Sequence, residues 1–209
     1  QLLPEYDDLR LLSEVALFVD WYLPAIRGND LPAVARAEFL ELWKPLLLVA
    51  RKVPDGIVLR DFHVGNLMVL KNREGLRACG LLDFQDAAFG PVTYDIVSLL
   101  EDARRDVSRE LSHRLIRHYL DAFPTLDHDM FSASYAVLGA QRAMKIIGIF
   151  TRLDRRDRKP NYLVHLPRVW HWLRSDLTHP ALASIDAWLL RELPMVERLT
   201  PHSLTTKVS

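Results

Sequence analysis

Apolar residues at Leu12, Val15, Val19, Tyr22 and Leu23 recur at spacings of three and four, which predicts an amphipathic helix over residues 8–26. Asn29 and Asp30 supply capping side chains and Pro32 a first-turn residue, so a second helix is predicted over 31–53, ended by Pro54-Asp55-Gly56. The period then changes. Residues 57–59, 67–70 and 79–82 are short β-prone apolar runs, and Lys71-Asn72-Arg73-Glu74-Gly75 reads as a turn between the last two, which predicts a small β-hairpin with loops at its ends. After Gly90-Pro91 the helical pattern returns, with helices predicted over 92–103, 108–122, 127–152, 163–174 and 185–193. Pro124, Pro160, Pro180 and Pro194 punctuate them. Without internal repeats or a low-complexity linker, residues 1–209 read as one domain of the α+β class, mostly α, with a small central hairpin.

Composition narrows what such a domain does. With 49% apolar and 26% charged residues over 209 positions, the chain fills a core and is not a disordered tail. Twenty-seven basic residues balance twenty-seven acidic ones, which argues against nucleic acid or a membrane surface as partner. A single cysteine, Cys79, excludes an internal disulfide framework and a cysteine-based zinc site, and fits a reducing compartment, by default the cytoplasm. The longest apolar stretches, 45–50 and 144–150, fall far below the roughly 20 residues that cross a bilayer. The start, Gln1-Leu2-Leu3-Pro4, does not read as a secretory signal, and the lack of an initiator Met points to a processed chain or, more readily, a fragment of something longer.

The polar residues that stand out lie at the ends of the short strands. One loop reads Leu59-Arg60-Asp61-Phe62-His63-Val64-Gly65-Asn66, and the hairpin ends in Leu81-Leu82-Asp83-Phe84-Gln85-Asp86. An Asp, an Asn five residues on, and a second Asp brought near by a hairpin match the needs of phosphoryl transfer. One carboxylate faces the attacking hydroxyl, and an amide oxygen with a second carboxylate holds Mg²⁺ on the phosphates.

The pattern R-D-x-x-x-x-N followed by D-F resembles the catalytic and metal-binding loops of the protein-kinase-like fold. Gly90-Pro91-Val92-Thr93-Tyr94-Asp95-Ile96-Val97-Ser98-Leu99-Leu100 is similar to the segment that follows the metal loop in the aminoglycoside phosphotransferase and choline kinase-like family. Within that family, Asp83-Phe84-Gln85-Asp86-Ala87 and the stretch 145–153, with Arg156-Asp157 and Lys159 before Tyr162-Leu163, resemble bacterial kinases that phosphorylate N-acetylmuramate and N-acetylglucosamine at the anomeric hydroxyl. The resemblance runs from about Asp8 to Leu189. It implies Asp61 as catalytic base, Asn66 and Asp83 as metal ligands, ATP as phosphoryl donor, Mg²⁺ as cofactor and a small sugar as acceptor. Two positions depart from the fold's usual pattern: Leu59 stands where a His is common, and Gln85 where protein kinases have Gly.

What the resemblance does not supply is a nucleotide-gripping small lobe. None of the eight glycines, at positions 28, 56, 65, 75, 80, 90, 139 and 148, forms G-x-G-x-x-G or G-x-x-x-x-G-K, and the sixty residues before Asp61 read as helices. The expectation is a large C-terminal lobe whose own N-terminal small lobe is cut off, disordered or absent, and which alone binds ATP poorly.

Several residues carry two readings. Arg60 contacts phosphate or tethers the loop; His63 supports the loop, or with Asp61 forms a D-x-H pair of a two-metal phosphoesterase. Asp95, at a helix start, caps that helix or braces the loop, or touches substrate. Asp86 faces the sugar or bonds the backbone. Between Arg142 and Arg174 nine basic residues face two acids, Asp154 and Asp157, a local excess that favours an anionic ligand, with Arg142 and Lys145 as candidates because they sit on a predicted helix. Trp170, Trp172 and Trp188 pack the core or stack on a sugar ring. The competing functions are a kinase of an aminoglycoside or another small alcohol, and an idle interaction module that retains the fold.

Overall fold

In the computed structural model, which describes residues 3–193, the first apolar stripe is a single helical run in three parts. These are α1 (Asp8–Leu17), a π turn over Phe18–Tyr22 and α2 (Leu23–Arg27). The Asp7 side chain caps α1 by accepting from the Arg10 N–H at 2.8 Å, and Gly28, at φ 75°, ends α2 in the left-handed conformation a glycine adopts without a steric penalty. The next helix, α3 (Ala33–Ala50), corrects one expectation: its N-cap is Pro32, with no side-chain hydrogen bond, and Asn29 and Asp30 lie too far upstream to serve. Pro45 sits inside α3 on its exposed face, while Phe39, Trp43, Leu46 and Leu47 are buried.

The centre holds two two-stranded antiparallel sheets rather than a lone hairpin. Of β1 (Asp55–Val58), β2 (Leu67–Val69), β3 (Cys79–Leu81) and β4 (Ala88–Pro91), β1 pairs with β4 and β2 with β3. Strand β4 escapes the sequence reading because Gly90-Pro91 looks like a break. Pro91 occupies the terminal position opposite Asp55, where a missing N–H costs the ladder nothing. The 4–6 segment flanks β4, the Phe89 N–H bonding the Pro4 carbonyl at 2.9 Å and the Tyr6 N–H the Phe89 carbonyl at 2.8 Å.

The remaining chain is helical: α4 (Thr93–Leu100), α5 (Arg109–Ala122), α6 (His128–Arg155), α7 (Leu166–Asp176) and α8 (Ala183–Glu192), near the predicted ranges; Gln1, Leu2 and Pro194 lie outside the described residues. Ser108 and Asp127 cap α5 and α6 with their side chains. The 28-residue α6 is the axis, packed against α1, α3, α4 and α7 and buried on most of its surface. At Gly148 a β-carbon would overlap the Leu17 backbone, so α1 crosses α6 in backbone contact at the point where it passes into the π turn. Trp43, Trp170 and Trp188 are each at most 1% exposed, and burial at this level stabilises the fold by about 2–3 kcal/mol per large side chain. Ring stacking on a sugar is therefore closed to Trp170 and Trp188; Trp172 directs its indole N–H to the Asp102 carbonyl at 3.4 Å.

Candidate active site

The ladder between β2 and β3 starts at Leu67 opposite Leu81, and the Leu82 N–H extends it to the Asn66 carbonyl at 2.9 Å. Asn66 and Asp83 are thereby brought to the same end of the hairpin. The Asn66 Nδ2 donates to the Asp61 carbonyl at 2.9 Å, so the amide nitrogen is the side-chain atom committed to the loop, and the Asn66 N–H bonds the His63 carbonyl at 2.8 Å. Asp61 is exposed.

Two left-handed residues mark this region: Arg60 at φ 68°, immediately before Asp61, and Asp83 itself at φ 52°. For a residue with a β-carbon that conformation costs about 1–2 kcal/mol, so the surroundings must impose it. Asp95, in the first turn of α4, does so at Arg60: its carboxylate accepts the Leu59 N–H at 2.7 Å and the Arg60 N–H at 3.0 Å, while Ser98 Oγ donates to the Arg60 carbonyl at 3.3 Å. Burial raises the Asp95 carboxyl above its ordinary value despite the two backbone donors.

Beneath the loop lies a residue the sequence did not single out. Glu14 of α1 receives Arg60 Nη2 at 2.9 Å, Lys145 Nζ at 2.9 Å and the Tyr6 hydroxyl at 2.5 Å, and only 12% of its side chain is exposed. Burial alone would raise this carboxyl, but Lys145, the Tyr6 hydrogen bond and Arg60 outweigh it and hold it below the usual range. The Arg60 guanidinium also lies over the Tyr6 ring, 5.3 Å from its centroid. Arg60 therefore tethers the loop to α1.

A cleft of about 540 Å³ opens above this hub. Asp61, Asn66 and Asp83 line one side; Tyr94, Arg142 and Lys145 line it from α4 and α6, with Ile146, Ile149 and Phe150 as an apolar stripe. Arg142 is 8% exposed and donates to the Glu101 carbonyl at 3.1 Å, and Lys145 also reaches the Tyr94 hydroxyl at 3.4 Å, so each already has an acceptor in the protein. Asp86 is exposed in the loop after β3 and does not line the cleft, nor do the side chains of the basic run 152–159, where Arg155 and Arg156 pair with Asp154 and Asp157. Arg104, also not singled out from sequence, lines the cleft from the turn after α4. His63 accepts the Gly65 N–H at its Nδ1, and desolvation, then the Arg104 charge, lower its pKa.

Asn66 Oδ1 and the Asp83 carboxylate are hard oxygen donors of the kind that hold Mg²⁺ when phosphates and water complete its shell, so the residues present fit that ion. Among the described residues no group of three or more His, Cys, Asp or Glu side chains is arranged to hold a metal, which leaves the two-metal phosphoesterase reading of Asp61 and His63 without its further ligands.

The phosphotransferase enzyme family (APH) matches residues 1–128 of the chain. An N-acetylmuramate/N-acetylglucosamine kinase of Caulobacter vibrioides is 41% identical over 195 residues, covering 92% of this chain and 53% of that protein. Proteins of the same name from Pseudomonas aeruginosa (35% identical; 92% of this chain, 57% of theirs) and Neisseria meningitidis (36%; 83% and 52%) are similar in the same way. The chain thus spans about half the length of these curated relatives. No described helix is long and apolar enough to cross a membrane.

Proposed function

The chain belongs to the phosphotransferase enzyme family, and on that premise we propose that it is the large lobe of a kinase-like enzyme that transfers the γ-phosphoryl group of ATP to a hydroxyl of a cell-wall amino sugar, N-acetylmuramate or N-acetylglucosamine. The observation that carries the reading is the convergence of Asp61, Asn66 and Asp83 on one side of a cleft. Asp61 accepts a hydrogen bond from the sugar hydroxyl and directs it at the phosphorus. A carboxylate is too weak a base to ionise a free alcohol, so Asp61 takes the proton late, once bond formation has acidified it. Asn66 and Asp83 would hold Mg²⁺, which when bound neutralises charge on the phosphates. The hydrogen bonds from Asn66 to the Asp61 carbonyl and from the loop to Asp95 keep the base in place, and positioning supplies much of the rate for a loose transition state.

The hairpin supports a small lobe as partner. Val69 is 84% and Leu76 95% exposed, with Met68, Leu81, Leu82 and Phe84 also open to solvent, an apolar surface on which a preceding nucleotide-binding lobe would close. Polycationic aminoglycosides fit less well than sugars beside Arg104, Arg142 and Lys145. An ATP-using enzyme with an exposed free thiol at Cys79 suits the cytoplasm.

Phosphate transfer from ATP and Mg²⁺ by the full-length protein, assayed against N-acetylmuramate, N-acetylglucosamine and kanamycin, tests the reading. Transfer to either sugar is expected. Transfer only to kanamycin would leave the mechanism and overturn the substrate, and no transfer with no nucleotide binding would favour an idle module.

A further inference from the structure

The cleft is lined by four cations besides His63, and three of them are already engaged. Arg60 and Lys145 share the Glu14 carboxylate, and the Arg142 guanidinium bonds the Glu101 carbonyl. Arg104 differs: it is exposed, only its backbone N–H is bonded, to Asp102 Oδ1 at 2.7 Å, and no carboxylate of the described residues pairs with its guanidinium. It lines the same cleft as Asp61, His63 and Asn66, from the turn that follows α4. Asp102, two residues before it, is 2% exposed, and the oxygen bonded to Arg104 is used on its backbone. In the same cleft the α6 stripe of Ile146, Ile149 and Phe150 offers apolar contact.

A free guanidinium and an apolar stripe in the cleft that also holds the proposed base suit a ligand that carries a carboxylate and a methyl group besides its reacting hydroxyl. N-acetylmuramate differs from N-acetylglucosamine by such a group, the lactyl ether. We propose that Arg104 determines specificity by receiving the lactyl carboxylate, and so favours the acidic sugar over the neutral one. This rests on the sugar-kinase reading above. No bond is made or broken at Arg104; it is a binding group, and the guanidinium fork matches a carboxylate in two parallel hydrogen bonds.

The test is steady-state kinetics of the full-length protein and its Arg104→Ala and Arg104→Lys variants with both sugars. A charge-assisted bidentate contact is worth enough that Arg104→Ala is expected to lower the ratio of kcat/KM for N-acetylmuramate to that for N-acetylglucosamine by about 10- to 100-fold, through KM rather than kcat. Arg104→Lys, which keeps the charge but loses the fork, is expected to fall between. An unchanged ratio would overturn the proposal, whether both sugars lose activity together, as a structural role requires, or neither does. If the wild-type protein phosphorylates neither sugar, the sugar-kinase reading fails and this inference falls with it; if it phosphorylates both and the ratio stays fixed, only this inference fails.

Discussion

Glu14 and Glu101 are both buried acids, and their neighbours give them opposite fates. Glu14 faces Lys145, Arg60 and the Tyr6 hydroxyl and is held ionised. Glu101 is pushed up to about 7 by burial, which outweighs the Tyr135 hydroxyl and Arg142; the carboxyl next to it, Asp176, is likewise raised well above its ordinary value by its own burial and by Glu101, so both favour the protonated form. A raised folded pKa means that the native state binds more protons than the unfolded chain. The pair's contribution is therefore full below the ordinary glutamate value of 4.5 and is lost as pH rises through about 7. Glu101→Gln, which keeps a neutral group there, is expected to be more stable than wild type at pH 8 and to lose less stability between pH 5 and pH 8 in urea unfolding. Parallel pH curves would contradict this. That Asp61, Asn66 and Asp83 meet at one cleft was legible in the sequence because one loop holds the first two five residues apart and a hairpin returns Asp83 to the end where Asn66 lies. Glu14 and Arg104 were not: Glu14 reads as one more acid on the polar face of an amphipathic helix, and its pairing with Arg60 and Lys145 exists only once α1 lies across α6.

Among the elements, periodicity located the long helices well, since α1, α3, α5 and α6 each carry an apolar face that only a helix aligns. The short strands were harder. Strand β4 has four residues, two of them Gly90 and Pro91, and it exists because β1 and the 4–6 segment flank it, a tertiary cause that local composition does not record. The π turn has no local signature either; it falls where α1 meets Gly148 of α6. That contact reverses the usual helix arithmetic. In an exposed helix Gly→Ala stabilises by about 1 kcal/mol, but at position 148 the added methyl meets the Leu17 backbone, which cannot step aside like a side chain. Gly148→Ala is expected to destabilise the protein by about 1–3 kcal/mol in urea unfolding. A neutral or stabilising result would mean that α1 moves away from α6 at little cost, and with it the Glu14 hub beneath the loop.

For the molecule as a whole, the helical body fixes one side of a cleft and leaves the other open. Glu14 on α1, Asp95 on α4 and Lys145 on α6 hold the loop and the cleft wall from below, and the exposed apolar residues of the hairpin face outward, on a chain about half the length of its curated relatives. In the proposed reading this body is the acceptor-binding lobe, and it meets its nucleotide through a second lobe. The sequence motifs marked the candidate residues of the cleft, whereas the support for their loop comes from residues distant in the chain. The most direct test is the rate of phosphate transfer from ATP to N-acetylglucosamine by the full-length protein and its Asp61→Asn variant, with nucleotide affinity measured alongside. Loss of about 10²–10⁴-fold in kcat with nucleotide affinity retained is expected if Asp61 orients the hydroxyl and takes its proton. A variant that transfers phosphate as fast as the wild type would contradict the assignment of the base and, with it, the reading of the cleft.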